Sequence, residues 1–189
     1  MGKTIVWETK MEAAIARAKT ENKHILLDFF NPGSTGCNQI DAVSYPNDKV
    51  IDFIQKNMIP LRVPFDDKPL SIDFNVKWTP TLIILDSEGR EHHRTVGFFP
   101  PEELIPSLLL GIAKIHFDQD RFNEAFSALD KLLNDSPKSD SATEAIFLQG
   151  VCRYKNTHDA KPLKGAYEHL QAKYPSSEWT KRAYPYRLL

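Results

Sequence analysis

The sequence predicts an α/β domain built on a central mixed sheet flanked by helices, followed by a C-terminal all-α module of helical repeats. Three observations carry that expectation. His24-Ile25-Leu26-Leu27-Asp28-Phe29-Phe30 is a nearly continuous apolar run of strand length, the pattern of a central strand buried on both faces. Thr81-Leu82-Ile83-Ile84-Leu85 is a second such run, and the turn Asp86-Ser87-Glu88-Gly89 followed by 90–97 makes it one arm of a hairpin. From about residue 103 onward no strand signal remains, and apolar positions recur at helical spacing to the end.

The elements follow in order. Residues 11–22 place Met11, Ala14, Ile15 and Ala18 on one helical face, with charged residues opposite, and the helix ends near Asn22. The first apolar strand is broken by Asn31-Pro32-Gly33, and Ser34-Thr35-Gly36-Cys37 leads into another helix. Residues 48–57 form a short helix with Val50, Ile51, Phe53 and Ile54 inward. The run 58–65 returns as a strand, with Pro60 and Pro64 weakening its ends. A short helix at about 68–74 precedes Trp78-Thr79-Pro80 and the second strand. After the hairpin, Pro100-Pro101-Glu102-Glu103 opens a helix, with proline where its missing N–H costs nothing. The order α-β-α-α-β-α-β-β-α suits a sheet with helices on both faces.

Composition narrows the function. The 189 residues hold 24 Lys+Arg against 25 Asp+Glu, a formal charge of −1, and 41% are hydrophobic. Balanced charge argues against a nucleic-acid binder, which needs a basic face to displace counterions. The longest apolar runs fall far short of the ~20 residues of a membrane span, and no export signal follows the N-terminal basic positions. The expectation is a cytoplasmic protein without membrane attachment. Its two cysteines, Cys37 and Cys152, cannot build a disulfide framework, so any role for them is local.

The C-terminal part carries an internal repeat. Residues 128–139 lie over 166–177 without a gap, sharing Ala128/Ala166, Leu132/Leu170, Pro137/Pro175 and Ser139/Ser177, then Ala145/Ala183. A shift of 38 residues is close to the period of helical hairpins. The pattern resembles tetratricopeptide-type repeats, in which small residues let two helices pack closely and a proline ends each hairpin. A plain helical bundle sharing a helix-stop signal is the alternative. Tyr154, Tyr167, Tyr174, Trp179, Tyr184 and Tyr186 concentrate here, and most are expected in its core. The module, over residues 118–189, would select protein partners or pair two copies of the chain as a homodimer.

The segment 28–37 (DFFNPGSTGC) is the most informative: a buried strand, a sharp turn, then a helix start with small polar residues. Here the chain resembles the thioredoxin superfamily. Asp28-Phe29 matches the family's strand, Ser34-Thr35-Gly36-Cys37 occupies its Cys-x-x-Cys window, Trp78-Thr79-Pro80-Thr81 matches its cis-proline loop, and Val96-Gly97 precedes the last helix. The resemblance covers about residues 5–115, within a domain of residues 1–117. It implies a thioredoxin fold and thiol–disulfide oxidoreductase activity on protein disulfides, without a cofactor. Ser34, Cys37 and Asp28 would be the catalytic positions, and Gly33, Trp78, Thr79 and Pro80 the substrate-binding ones. In such a site the first thiolate is made acidic by the helix N-terminus and attacks the substrate disulfide, and the second thiol resolves the mixed disulfide. A buried carboxylate, here Asp28, assists the proton transfer.

The sequence departs from the family at the decisive atom, because the nucleophile's position holds Ser34. A hydroxyl lacks a thiol's acidity and does not run disulfide exchange at neutral pH. Three readings stand: an engineered replacement of a cysteine, a natural binding module on a thioredoxin scaffold, or single-thiol chemistry at Cys37. Cys152 lies in the helical region and reads as a packed core residue. His92 and His93 alternate faces on a strand, so they do not share a metal. The 32–36 turn lacks the Lys of a phosphate-binding loop, and no G-x-S-x-G supports a serine hydrolase.

Overall fold

A computed structural model describes residues 2–189. The chain divides into two compact units, Met1–Ile105 and Pro106–Leu189. In the first unit the order is α1 (Met11–Glu21), β1 (His24–Phe30), α2 (Thr35–Gln39), a π-helical turn (Ile40–Ser44), α3 (Asp48–Asn57), β2 (Met58–Pro64), α4 (Lys68–Asp73), β3 (Thr81–Leu85) and β4 (Glu91–Val96). The sheet order is β2-β1-β3-β4. β1 pairs parallel with β2 and antiparallel with β3, and β3 pairs antiparallel with β4. This is a thioredoxin-fold sheet with flanking helices.

β1 is central and buried along its length, as its sequence requires. Its Ile25, Leu27 and Phe29 join Ile59, Leu61, Val63, Ile83 and Leu85 in one core layer under Ala14 and Ala18 of α1. Strand alternation sends Leu26, Asp28 and Phe30 to the other face. The prolines of β2 are tolerated because of their parity. Pro60 C=O accepts from Glu8 N–H at 2.8 Å, and Arg62 N–H donates to Glu8 C=O at 2.9 Å. Residues 60, 62 and 64 therefore turn their backbone groups away from β1, and Pro60 and Pro64 withhold no N–H from the β1 ladder. The 86–89 turn is fastened by Asp86, whose Oδ1 accepts from Glu88 and Arg90 N–H. Gly89 there has φ +82, where a side chain would be strained.

The helix expected after Ser34 is shorter than its sequence suggests. α2 has five residues and then widens into the π turn, a form often found near functional sites. Helix α5 (Pro101–Asp118) carries the division between the units at Pro106, inside the helix rather than at residue 117. The reason lies in its later turns: Lys114 ion-pairs Glu144 at 2.6 Å and Phe117 packs edge-on against Phe122, both within the helical unit.

The second unit continues with α6 (Phe122–Asp135), α7 (Ala142–Thr157), α8 (Lys161–Lys173), α9 (Glu178–Ala183) and a 3₁₀ turn (Tyr184–Leu188). Tyr167, Tyr174, Trp179 and Tyr186 pack against a cluster of Ile146, Ala166, Leu170 and Ala183. Tyr154 and Tyr184 stay exposed, the first edge-on to His158 and the second under Arg187. The C-terminal proline signals have a structural basis, since α6 and α8 each stop two residues before Pro137 and Pro175.

α7 and α8 approach closely at Gly150. A Cβ there would lie 2.7 Å from Ala166 Cβ and 3.0 Å from Pro162 O. Gly150→Val should destabilise the protein by about 1–3 kcal/mol in urea denaturation, the usual cost of overpacking. Gly165→Ala, in α8 with open space around it, should instead stabilise by up to ~1 kcal/mol.

Candidate functional site

The turn after β1 is built by its own side chains. Asn31 Oδ1 accepts from Gly33 N–H at 3.0 Å, closing an Asx turn that delivers Ser34 to the start of α2. Ser34 is the N-cap: its Oγ accepts from Cys37 N–H at 3.3 Å. The same hydroxyl donates to the C=O of Thr79 at 2.9 Å, tying the helix start to the proline loop. The Thr79–Pro80 peptide is cis. Gly36 permits the contact between the two segments, since a Cβ on it would meet Pro80 Cδ at 2.9 Å.

Ser34, Thr79, Pro80 and Trp78 thus share one cleft of about 490 Å³, with Asn31, Phe65 and Phe98 among its other walls. Trp78 is 68% exposed and Phe98 37%, so two large apolar side chains stand open to solvent at its rim. Gly33 is exposed but does not line the cleft. Cys37 sits under the turn, 1% exposed, with Asn31 N–H pointing to its Sγ at 3.5 Å. Cys152, in α7, is buried and its thiol is pushed up to about 12 by burial. It is a core residue of the other unit.

Asp28 is fully buried on the opposite sheet face from the α1 layer. Its Oδ2 accepts from the Tyr45 hydroxyl at 3.0 Å and lies 3.0 Å from Arg62 Nε, an ion pair without hydrogen-bond alignment. Oδ1 has no hydrogen-bond partner. Burial raises the Asp28 carboxyl to about 6, and the opposing pull of Arg62 and Tyr45 does not reverse it. Burial also holds the Tyr45 phenol well above its ordinary range, with Asp28 adding to it, so Tyr45 remains a donor.

Arg62 is the residue that the sequence pattern concealed. Parallel register sets it beside Asp28, and its guanidinium lies over Phe30 at 4.4 Å and over Trp7 and Tyr45 at 5.6 Å each. A second carboxylate, Asp41 of the π turn, closes on its Nη2 at 2.9 Å. The visible signal was a lone arginine in an otherwise apolar strand. Phe65, Lys77 and Phe98 of the cleft carried no such signal. His92 is engaged by Asp86 Oδ2 at 2.9 Å, a turn-stabilising contact.

The family model for a thioredoxin-like domain matches residues 11–110. Among solved structures, a thioredoxin from Thermus thermophilus is similar at 20% identity and a TM-score of 0.51, over 56% of this chain and 85% of that one. A candidate disulphide-isomerase from Bacteroides thetaiotaomicron is similar at 23% identity and a TM-score of 0.53, over 59% of this chain and 96% of that one. At these identities the likeness is one of fold. No curated protein matches the chain.

The raised Asp28 carboxyl has a consequence for stability. Its folded value of about 6 lies above the unfolded ~3.9, so between those values the native state binds more protons. The associated stabilisation is complete below about pH 4 and is lost as pH rises through 6. Wild type should therefore lose about 2 kcal/mol relative to Asp28→Asn between pH 4 and pH 7, read as the difference in urea-unfolding free energy across that window.

Proposed function

The chain belongs to the thioredoxin-like domain family, and on that premise we propose that its first unit carries the site of a thiol–disulfide oxidoreductase acting on protein disulfides. Its nucleophile position is filled by Ser34, so the cleft holds a protein substrate without exchanging its disulfide. The observation that carries this reading is the placement of Ser34. Its Oγ caps α2 over Cys37 and touches the proline loop, where an attacking sulfur would stand.

With sulfur in that place the chemistry closes without a cofactor. A thiolate at position 34, favoured by the unpaired N–H groups of the helix start, attacks one sulfur of the substrate disulfide. A mixed disulfide forms and one substrate thiolate leaves. Cys37 then gives up its proton, with buried Asp28 as the acceptor, and its sulfur attacks the mixed disulfide. A 34–37 disulfide closes and the second substrate thiol is released, leaving an external dithiol to restore the pair. Asp28 is suited to that proton by its raised carboxyl and its free Oδ1. With oxygen at position 34 the first step does not occur, and the sequence stops at binding.

A second reading, a non-catalytic interaction module on the same scaffold, is favoured by the exposure of Trp78 and Phe98 at the rim of the cleft. Single-thiol chemistry at Cys37 is disfavoured by the burial of its sulfur. We assign the helical unit to partner selection, as two tetratricopeptide-like hairpins, α6–α7 and α8 with α9. The 38-residue repeat supports this, as do the close approach at Gly150 and the matching helix stops. Two free buried cysteines fit a reducing, cytoplasmic setting.

Ser34→Cys is the discriminating variant. It should reduce a protein disulfide such as that of insulin with dithiothreitol as the electron source, at least tenfold faster than the wild-type background, an increase of at least ~1.4 kcal/mol in transition-state stabilisation. Adding Cys37→Ser to it should trap the mixed disulfide, visible by mass spectrometry. A folded Ser34→Cys protein with no turnover and no trapped adduct supports the interaction module instead.

A further inference from the structure

The guanidinium of Arg62 is shared between two acids, and the exposed one holds the better share. A buried carboxylate loses most from poor pairing, so the aligned donors of a neighbouring arginine are expected to go to it. Here they go to Asp41. Arg62 Nη2 donates to Asp41 Oδ2 at 3.0 Å and lies 2.9 Å from its Oδ1. Buried Asp28 receives only the proximity of Nε, 3.0 Å from its Oδ2 and out of hydrogen-bond alignment. Its Oδ1 keeps no hydrogen-bond partner.

Asp41 is not what brings the guanidinium to Asp28. Parallel register sets residue 62 beside residue 28, and the rings of Phe30, Trp7 and Tyr45 hold the guanidinium between them. What Asp41 adds is the direction in which the N–H donors point. The other groups that bear on Asp28 are few. Tyr45, at the end of the π turn, donates to Oδ2, and on the β3 side the paired residue is the apolar Leu82. Cys37, the other titratable group of the α2 segment, lies buried under the turn.

We propose that Asp41 is a positioning residue for the buried acid: by drawing the donor edge of Arg62 to itself, it keeps Asp28 under-paired and able to take up a proton. The use of that proton in disulfide exchange rests on the function proposed above, whereas the effect of Asp41 on Asp28 does not. The charge of Asp41 acts in the same sense, since it adds to the rise of the Asp28 carboxyl. A merely structural role predicts the opposite sign. If Asp41 only anchored Arg62, its loss would let the guanidinium leave, and Asp28 would hold its proton more tightly.

The test is a carbon-13 NMR titration of the Asp28 carboxyl in the full chain, its resonance assigned by its disappearance in Asp28→Asn. Asp41→Asn, nearly isosteric at a side chain 43% exposed, should lower the midpoint by about 0.5 pH unit or more. Asp41→Ser, a second neutral variant, should do the same, and Asp41→Glu should restore most of the wild-type value. Asp52→Asn removes an exposed charge paired with Lys3 on α3 and should leave the midpoint unchanged. Urea unfolding gives a second reading. With Asp41→Asn present, the loss of stability relative to the matching Asp28→Asn variant between pH 4 and pH 7 should shrink by about a quarter or more. Circular dichroism checks that each variant is folded. An unchanged or raised midpoint in the neutral variants overturns the proposal, as does an equal shift in Asp52→Asn or no recovery in Asp41→Glu. None of these readouts needs turnover at position 34. A Ser34→Cys protein that reduces no disulfide therefore overturns the proposed exchange reaction and not the role of Asp41.

Discussion

A carboxylate in the middle of a strand buried on both sides is the constraint around which the first unit is arranged. Asp28 costs several kcal/mol to desolvate unless it is partnered or neutral. The fold supplies both remedies in part. Arg62 comes from the parallel neighbour β2, and Tyr45 from the end of the π turn. Arg62 in turn draws in Asp41, Trp7 and Phe30, so one buried charge specifies the register of β2, the course of the N-terminal segment and the widened helix after Cys37. The compensation is incomplete, as the free Oδ1 and the raised carboxyl show. An under-satisfied buried acid is the environment in which a carboxyl's affinity for a proton rises.

The cleft obeys a different constraint, which is proximity. The α2 start and the Thr79–Pro80 loop come close enough to share the Ser34 hydroxyl because Gly36 has no side chain to hold them apart. Ser44, in the π turn, donates to the C=O of Phe99, next to the Phe98 that walls the cleft. Three segments far apart in sequence are therefore fixed around one small volume by single hydrogen bonds. Trp78 and Phe98 remain exposed at its edge, where burial in a partner would recover the energy their exposure forgoes.

Much of this was legible in the chain. The two apolar runs appear as β1 and β3 at the residues expected, because a strand buried on both faces has little choice of composition. Asp28 announced itself as a charge within such a run, and Ser34 and Cys37 by their place after a strand and a sharp turn. Arg62 and Tyr45 were not assigned, since their meaning depends on strand register and on a π turn, neither of which leaves a local pattern. The division between the units at Pro106 leaves no local pattern for a related reason. α5 reads as one continuous apolar helix, and only the partners of Lys114 and Phe117 reveal where the second unit begins. Tyr154 and Tyr184 show the reverse case: aromatic composition suggests a core, yet each stands at the surface beside a polar partner.

On the proposed function, the identity of one atom separates recognition from reaction, and it does so with a physical trade. As a hydroxyl, position 34 is a good donor to Thr79 C=O and a good acceptor for Cys37 N–H, so it fastens the proline loop to the helix. Sulfur is a weak donor and a weak acceptor. Replacing oxygen by sulfur loosens both contacts, at a net cost of about 1 kcal/mol for each hydrogen bond weakened. It also leaves the Thr79 carbonyl free to accept from an extended ligand. A reactive site of this kind is therefore intrinsically less well tied than the serine form. The serine form is better tied and, on the proposed function, gives up the disulfide-exchange step. That is the stability–activity opposition expected where a functional group is also a structural cap.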